Sequence, residues 1–139
     1  MVNVVAVRGA CLRRHVGAIV VVDNRIVTTG YNGPPPGVAH CTTCLKEQAP
    51  SGAGRELCPA VHAEVNAILQ AAKFGVSIRN GHLICTLQPC FECLKMIINS
   101  GVSAVTFLEE YPPSNLELYL RVIEESGLWI VHHQEPKTF

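Results

Sequence analysis

A chain of 139 residues, 48% hydrophobic and 16% charged, has room for one sizeable core and too little charge for extended disorder, so residues 1–139 read as a single domain. Eleven basic residues balance eleven acidic ones. That balance leaves no basic stripe of the kind that grips a nucleic acid polymer, and the longest basic cluster, Arg13-Arg14-His15, reads as an ordinary solvated turn or helix end.

From the N-terminus, Val4-Val5-Ala6-Val7 is too short for a signal-peptide core, and no apolar run approaches the roughly 20 residues that span a bilayer. The expectation is a cytoplasmic protein without a membrane segment. Val16 to Val22 is a β-branched run suited to a strand covered on both faces. Asp23-Asn24 signals a turn, and Arg25 to Gly30 completes a hairpin. Tyr31 to Leu57 is rich in Gly, Pro, Ser and Thr, and a loop of that length inside a compact domain requires a function or an anchor.

Val61 to Phe74 reads as a helix with apolar positions at Val61, Val65, Ile68, Leu69 and Ala72, stopped by Gly75. His82 to Leu87 is a short buried strand with Cys85 in the core. A helix follows, with Pro89 at its first position, and runs to about Asn99 before Gly101. Val102 to Leu108 is a strand, Leu116 to Glu125 a helix closed by Gly127, and Leu128 to Val131 a last strand. A hairpin followed by helix–strand units predicts a three-layer α/β/α sandwich around a mixed five-stranded sheet.

Chemistry concentrates in two places. His62-Ala63-Glu64 and Pro89-Cys90-Phe91-Glu92-Cys93 offer an imidazole and two thiolates, three of the four positions of a tetrahedral Zn²⁺ site that keeps one open. Seven cysteines in a reducing compartment point to metal binding more than to disulfides. Glu64 is then free to move protons. A closed structural site, with Glu64 as a helix-start residue only, is the blander alternative. A peptidase is excluded because H-E-x-x-H is absent. Two thiolates cancel the charge of Zn²⁺, so a nearby base is needed to take a proton from water, and Glu64 fits that role.

The second place is the long loop. Cys11, Cys41, Cys44 and Cys58 are arranged to make a closed four-thiolate structural zinc site, with His40 as an alternative ligand. The competing reading is that some of these cysteines are small buried hydrophobes.

The H-x-E…P-C-x-x-C arrangement resembles zinc nucleobase deaminases. Together with Cys11-Leu12-Arg13-Arg14, Val16-Gly17-Ala18, Gly30-Tyr31-Asn32-Gly33-Pro34, His40-Cys41, Asn66-Ala67-Ile68 and Thr86 through Cys93, it resembles the bacterial deoxycytidylate (dCMP) deaminases of the cytidine deaminase superfamily, over roughly Cys11 to Val131. The resemblance implies a cytidine deaminase-like fold and hydrolytic deamination of dCMP to dUMP and ammonia. Zinc-bound hydroxide would attack C4, held by His62, Cys90 and Cys93, and Glu64 would shuttle protons. It further implies that Asn32 and Tyr111 contact the nucleotide, that a second zinc is present, and that the protein is a homo-oligomer with dCTP and dTTP as effectors. Arg55, Lys46 and Lys73 are the basic residues near enough to meet a phosphate. Two departures stand out: only ten residues precede Cys11, where the family carries a longer helix, and His82-Leu83-Ile84-Cys85-Thr86 lacks a tyrosine common in that strand. A deaminase of another nucleoside, nucleotide or base, or a non-catalytic zinc-stabilised binding module, are the rival functions.

Overall fold

Strand β1, Gly17–Val22, passes through Asp23 and Asn24 into β2, Arg25–Tyr31. Both turn residues take positive φ, 49° and 60°, the left-handed pair that matches the twist of a two-residue hairpin. The remaining strands are β3 (His82–Leu87), β4 (Ala104–Glu109) and β5 (Trp129–His132). In the computed structural model, which describes residues 1–50 and 53–134, they form one sheet in the order β2-β1-β3-β4-β5. β1 runs antiparallel to β2 and β3, while β3, β4 and β5 are mutually parallel.

Four helices cover the sheet: α1 (Val2–Ala6), α2 (Ala63–Phe74), α3 (Phe91–Asn99) and α4 (Leu116–Ser126). Successive residues of a strand face opposite sides, and two glycines show which helix lies on which. A Cβ on Gly17 would strike the backbone of α1 at Val2 and Ala6, whereas one on Gly30, the partner of Ala18, would strike α2 at Ala63 and Ala67. Thus α1 and α2 lie on opposite faces. α3 packs beside α2, and the ring of Tyr119 on α4 lies 6.5 Å from that of Phe91 on α3. The predicted three-layer sandwich with a mixed five-stranded sheet is what forms. Its main core lies on the α2 side, where Ala18, Val20, Leu83, Cys85 and Val105 meet Ala67, Ala71, Leu94 and Ile97.

Four local expectations are corrected. The N-terminal valines, given no element above, form α1, whose Val2 and Ala6 are buried. α2 begins at Ala63, which leaves Val61 outside it, and its buried stripe is Ala63, Glu64, Ala67 and Ala71; Val65 and Ile68 are half-buried, Ile68 packing against the core, while Leu69 and Ala72 are exposed. Small residues win because the helix backbone approaches the sheet directly above Gly30, leaving no depth for Leu or Ile. Pro89 is not the first helical residue: Cys90 caps α3 and Phe91 begins it. The predicted Val102–Leu108 strand starts later, at Ala104, because Ser103 takes part in the turn that returns from α3 through its N–H bond to Gly81. The helix stops are as predicted, with Gly75 and Gly127 in the left-handed conformation at φ 66° and 71°.

Candidate active site

Two helix N-termini converge here. His62 is the N-cap of α2 and Cys90 the N-cap of α3, and both carry extended backbone. Gly33 and Val61 exchange two backbone hydrogen bonds, of 3.2 and 2.8 Å, which fasten the end of the hairpin to the residue before His62. Asn66 Nδ2 donates to the Tyr31 carbonyl at 2.8 Å, and Gln70 Oε1 accepts from the Thr29 N–H at 2.7 Å. α2 is therefore pinned to β2 along its length, and the position of His62 follows from it.

His62 Nδ1 lies 3.5 Å from Cys90 Sγ and 3.3 Å from Cys93 Sγ. A nitrogen and a sulfur on one tetrahedral Zn²⁺ at ordinary bond lengths are about 3.5 Å apart, so the donor set fits this ion. Among the described residues, these three are the one group of His, Cys, Asp or Glu whose ligand atoms all lie within 4.8 Å of one another. The sulfurs are buried while His62 is exposed to the cleft, which leaves one side of the group accessible.

Charge is arranged to favour a cation. The Cys90 thiol is pushed down to about 3, first by the hydrogen bond from the Cys93 thiol, then by His62 and the Cys93 amide. Cys93 is shifted upward, as the partner that keeps the shared proton, with burial adding to the shift. His62 is raised, chiefly by its hydrogen bond to Cys90. Protons held among three converging donors are what a metal ion displaces on binding.

Glu64 sits on the first turn of α2, 4% exposed, and burial raises its pKa. The result is a carboxyl group beside the ligand group that holds its proton more readily than an exposed carboxylate does.

Above this floor opens a cleft of about 170 Å³, lined among others by Asn32, Glu64, Gln88, Cys90 and Tyr111. Arg13, Arg14, Lys46 and Arg55 also line it, four cations against the single carboxylate of Glu64. Lys46 and Arg55 were legible as basic residues near the loop. Lys73 is not in the cleft; its ammonium lies 5.7 Å from the Phe74 ring centroid. Arg13 and Arg14 were missed, since an arginine pair without an adjacent motif looks like any solvated turn. Asn32 holds them in place: its Oδ1 accepts from the Val16 N–H at 2.9 Å and its Nδ2 donates to the Arg14 carbonyl at 2.8 Å. Arg14 in turn lies over the Tyr111 ring, 5.5 Å from its centroid.

Cys11, Cys41, Cys44 and Cys58 line a second, smaller cavity of about 20 Å³ beside the cleft. Their sulfurs do not form a group of three within 4.8 Å, and all four thiols are free. Cys11, Lys46, Cys58 and Ala60 line both cavities, so the two share a wall. Among the described residues, no helix is long and apolar enough to cross a membrane.

The family model described as the cytidine and deoxycytidylate deaminase zinc-binding region matches residues 1–109. ComE operon protein 2 of Bacillus subtilis is 38% identical over 92% of this chain and 65% of its own length. The deoxycytidylate deaminase of Mycobacterium phage D29 is 39% identical over 76% of this chain and 86% of its own. The dCMP deaminase of cyanophage S-TIM5, solved in complex with dCMP and dUMP, superposes with a TM-score of 0.77 at 31% identity, covering 95% of this chain and 90% of that one. The chain spans less than two thirds of the Bacillus protein's length, and 35% and 41% of the lengths of two yeast deoxycytidylate deaminases. With the family match, the fold and the His-Cys-Cys group in agreement, the chain belongs to the cytidine and deoxycytidylate deaminase family.

Proposed function

We propose that this protein is a zinc-dependent hydrolase that converts dCMP and water to dUMP and ammonia. The observation that carries the reading is the pairing, in one cleft, of the His62-Cys90-Cys93 group with four cations able to meet a 5′-phosphate. The relatives named as deoxycytidylate deaminases, and the cyanophage enzyme seen with dCMP and dUMP, support the same substrate.

His62, Cys90 and Cys93 would hold the zinc, which supplies a Lewis acid that makes a water molecule easier to deprotonate. Glu64 takes one proton from that water and delivers it to ring N3, then takes the second from the new C4 hydroxyl and passes it to the amino group, which leaves as ammonia. Its burial keeps bulk water from competing for the proton. Arg13, Arg14, Lys46 and Arg55 would attract the phosphate, and Asn32 and Tyr111, which line the same cleft, would contact sugar and base.

A second zinc on Cys11, Cys41, Cys44 and Cys58 belongs to the same proposal, supported by the single small cavity that all four line. Homo-oligomerisation, with dCTP and dTTP as effectors, rests on the resemblance alone. A single domain in the cytoplasm suits the free cysteines.

The test is ammonia release from dCMP and from deoxycytidine by zinc-replete protein, with dCTP present. Turnover that collapses without the 5′-phosphate supports the reading. Equal efficiency on both substrates overturns dCMP as the substrate, and absence of turnover on either from folded, zinc-loaded protein overturns the enzyme. Metal analysis reads the second site: two zinc ions per chain are expected, and one would refute it.

A further inference from the structure

We propose that Gln88 is a positioning residue for substrate binding, whose side chain ties the Tyr111 segment at the wall of the cleft to the turn that carries Cys90. The inference rests on the reading of this cleft as a nucleotide site.

Gln88 follows β3 directly and precedes Pro89-Cys90. Its backbone N–H donates to the Glu109 carbonyl at 2.8 Å, which continues the pairing of Leu87 with Glu109 one step past the strand ends. The side-chain Oε1 accepts from the Tyr111 N–H at 3.1 Å. One residue on, the Pro89 carbonyl accepts from the Tyr119 hydroxyl at 2.9 Å, in a buried setting. Gln88 and Pro89 thus join three elements: the metal-ligand turn, the segment after β4, and α4.

The sequence around Tyr111 explains why such a tether matters. Pro112 and Pro113 follow it and carry no N–H, so they can donate nothing to hold this stretch. The Tyr111 N–H is the last amide donor before that gap, and Gln88 receives it. Tyr111 and Gln88 both line the cleft, and the Arg14 guanidinium sits against the Tyr111 ring. Releasing the tether would therefore move an aromatic wall and the partner of a cation together. Neither His62, Cys90 nor Cys93 depends on the Gln88 Oε1, so the metal group should survive its loss.

The experiment uses the zinc-loaded full chain with Gln88→Met, close in length but without the acceptor, and Gln88→Leu as an independent variant should Met pack poorly. Gln88→Glu keeps the acceptor. Amide exchange at Tyr111 is followed by NMR, alongside zinc content and the KM and kcat for dCMP. In the Met or Leu variant, Tyr111 exchange should speed up by about tenfold or more and KM should rise by about tenfold, with kcat within about twofold and zinc retained. Gln88→Glu should keep the exchange slow. Slow exchange in the Met and Leu variants overturns the tether, and fast exchange with unchanged KM overturns its role in binding. If wild-type protein fails to deaminate dCMP, the functional reading falls on that result, and the exchange rates still decide the tether.

Discussion

Gly30 lies against Ala63 with no room for a side chain between them: a Cβ at Gly30 would overlap the Ala63 carbonyl oxygen and the Ala67 amide nitrogen. Both obstacles are backbone, so relief requires the helix to move. Gly30→Ala should destabilise the fold by about 3 kcal/mol, at the upper end for overpacking, and should shift His62 and Glu64 with the helix start. Urea denaturation and zinc titration would check this. A variant of normal stability and zinc affinity would contradict the close approach.

Glu64→Gln keeps the shape of the side chain and removes its proton transfer. Zinc content should be unchanged, and kcat should fall by about 10²–10⁴-fold, the range of a lost general acid–base group. Single-turnover kinetics with metal analysis on the same sample separates the two effects. Undiminished kcat would exclude the proposed shuttle.

Cys90→Ser removes the sulfur most strongly disposed to ionise. One zinc per chain fewer than wild type is expected, with the sheet intact by far-UV circular dichroism. Retention of the full zinc complement would mean that the ligand set is wrong.

Arg14→Ala and Arg55→Ala should each raise KM for dCMP by about tenfold or more, the cost of a lost charged hydrogen bond, and leave deoxycytidine unaffected. Steady-state kinetics on the two substrates gives the comparison. A parallel loss on deoxycytidine would place the arginines in the fold and not on the phosphate.

His82, whose Nε2 lies 2.7 Å from Thr106 Oγ1, has its pKa lowered by burial. Above the ordinary value of 6.5 it is neutral in folded and unfolded chains and contributes nothing to pH dependence. As the pH falls below 6.5 the unfolded chain binds a proton that the folded chain resists, so stability drops until the pH reaches the folded pKa. His82→Gln should flatten that part of the stability–pH curve in chemical denaturation. An unchanged slope just below pH 6.5 would remove His82 as the cause.

The ligand set was legible because its signal is chemical and local: an imidazole, two thiolates three apart and a carboxylate two residues from the histidine. The hairpin and the five strands followed from β-branched runs and turn residues for the same reason. The buried face of α2 was not legible, because the alanine stripe is chosen by closeness to Gly30, a contact between residues more than thirty positions apart. Nor was the arginine half of the cationic rim, since Arg13 and Arg14 acquire meaning only when Asn32 folds their segment over the cleft. Gln88 gave no signal of a role of its own within the Thr86–Cys93 stretch. A lone glutamine before a proline gains its role from Tyr111, which the chain brings back only after β4.

The wall of Cys11, Lys46, Cys58 and Ala60 between the two cavities makes the smaller one a lever on the larger. An ion held by the four cysteines would brace Lys46 and the start of the Arg13-Arg14 segment from behind, so its loss would slacken the larger cavity without touching the place of the base.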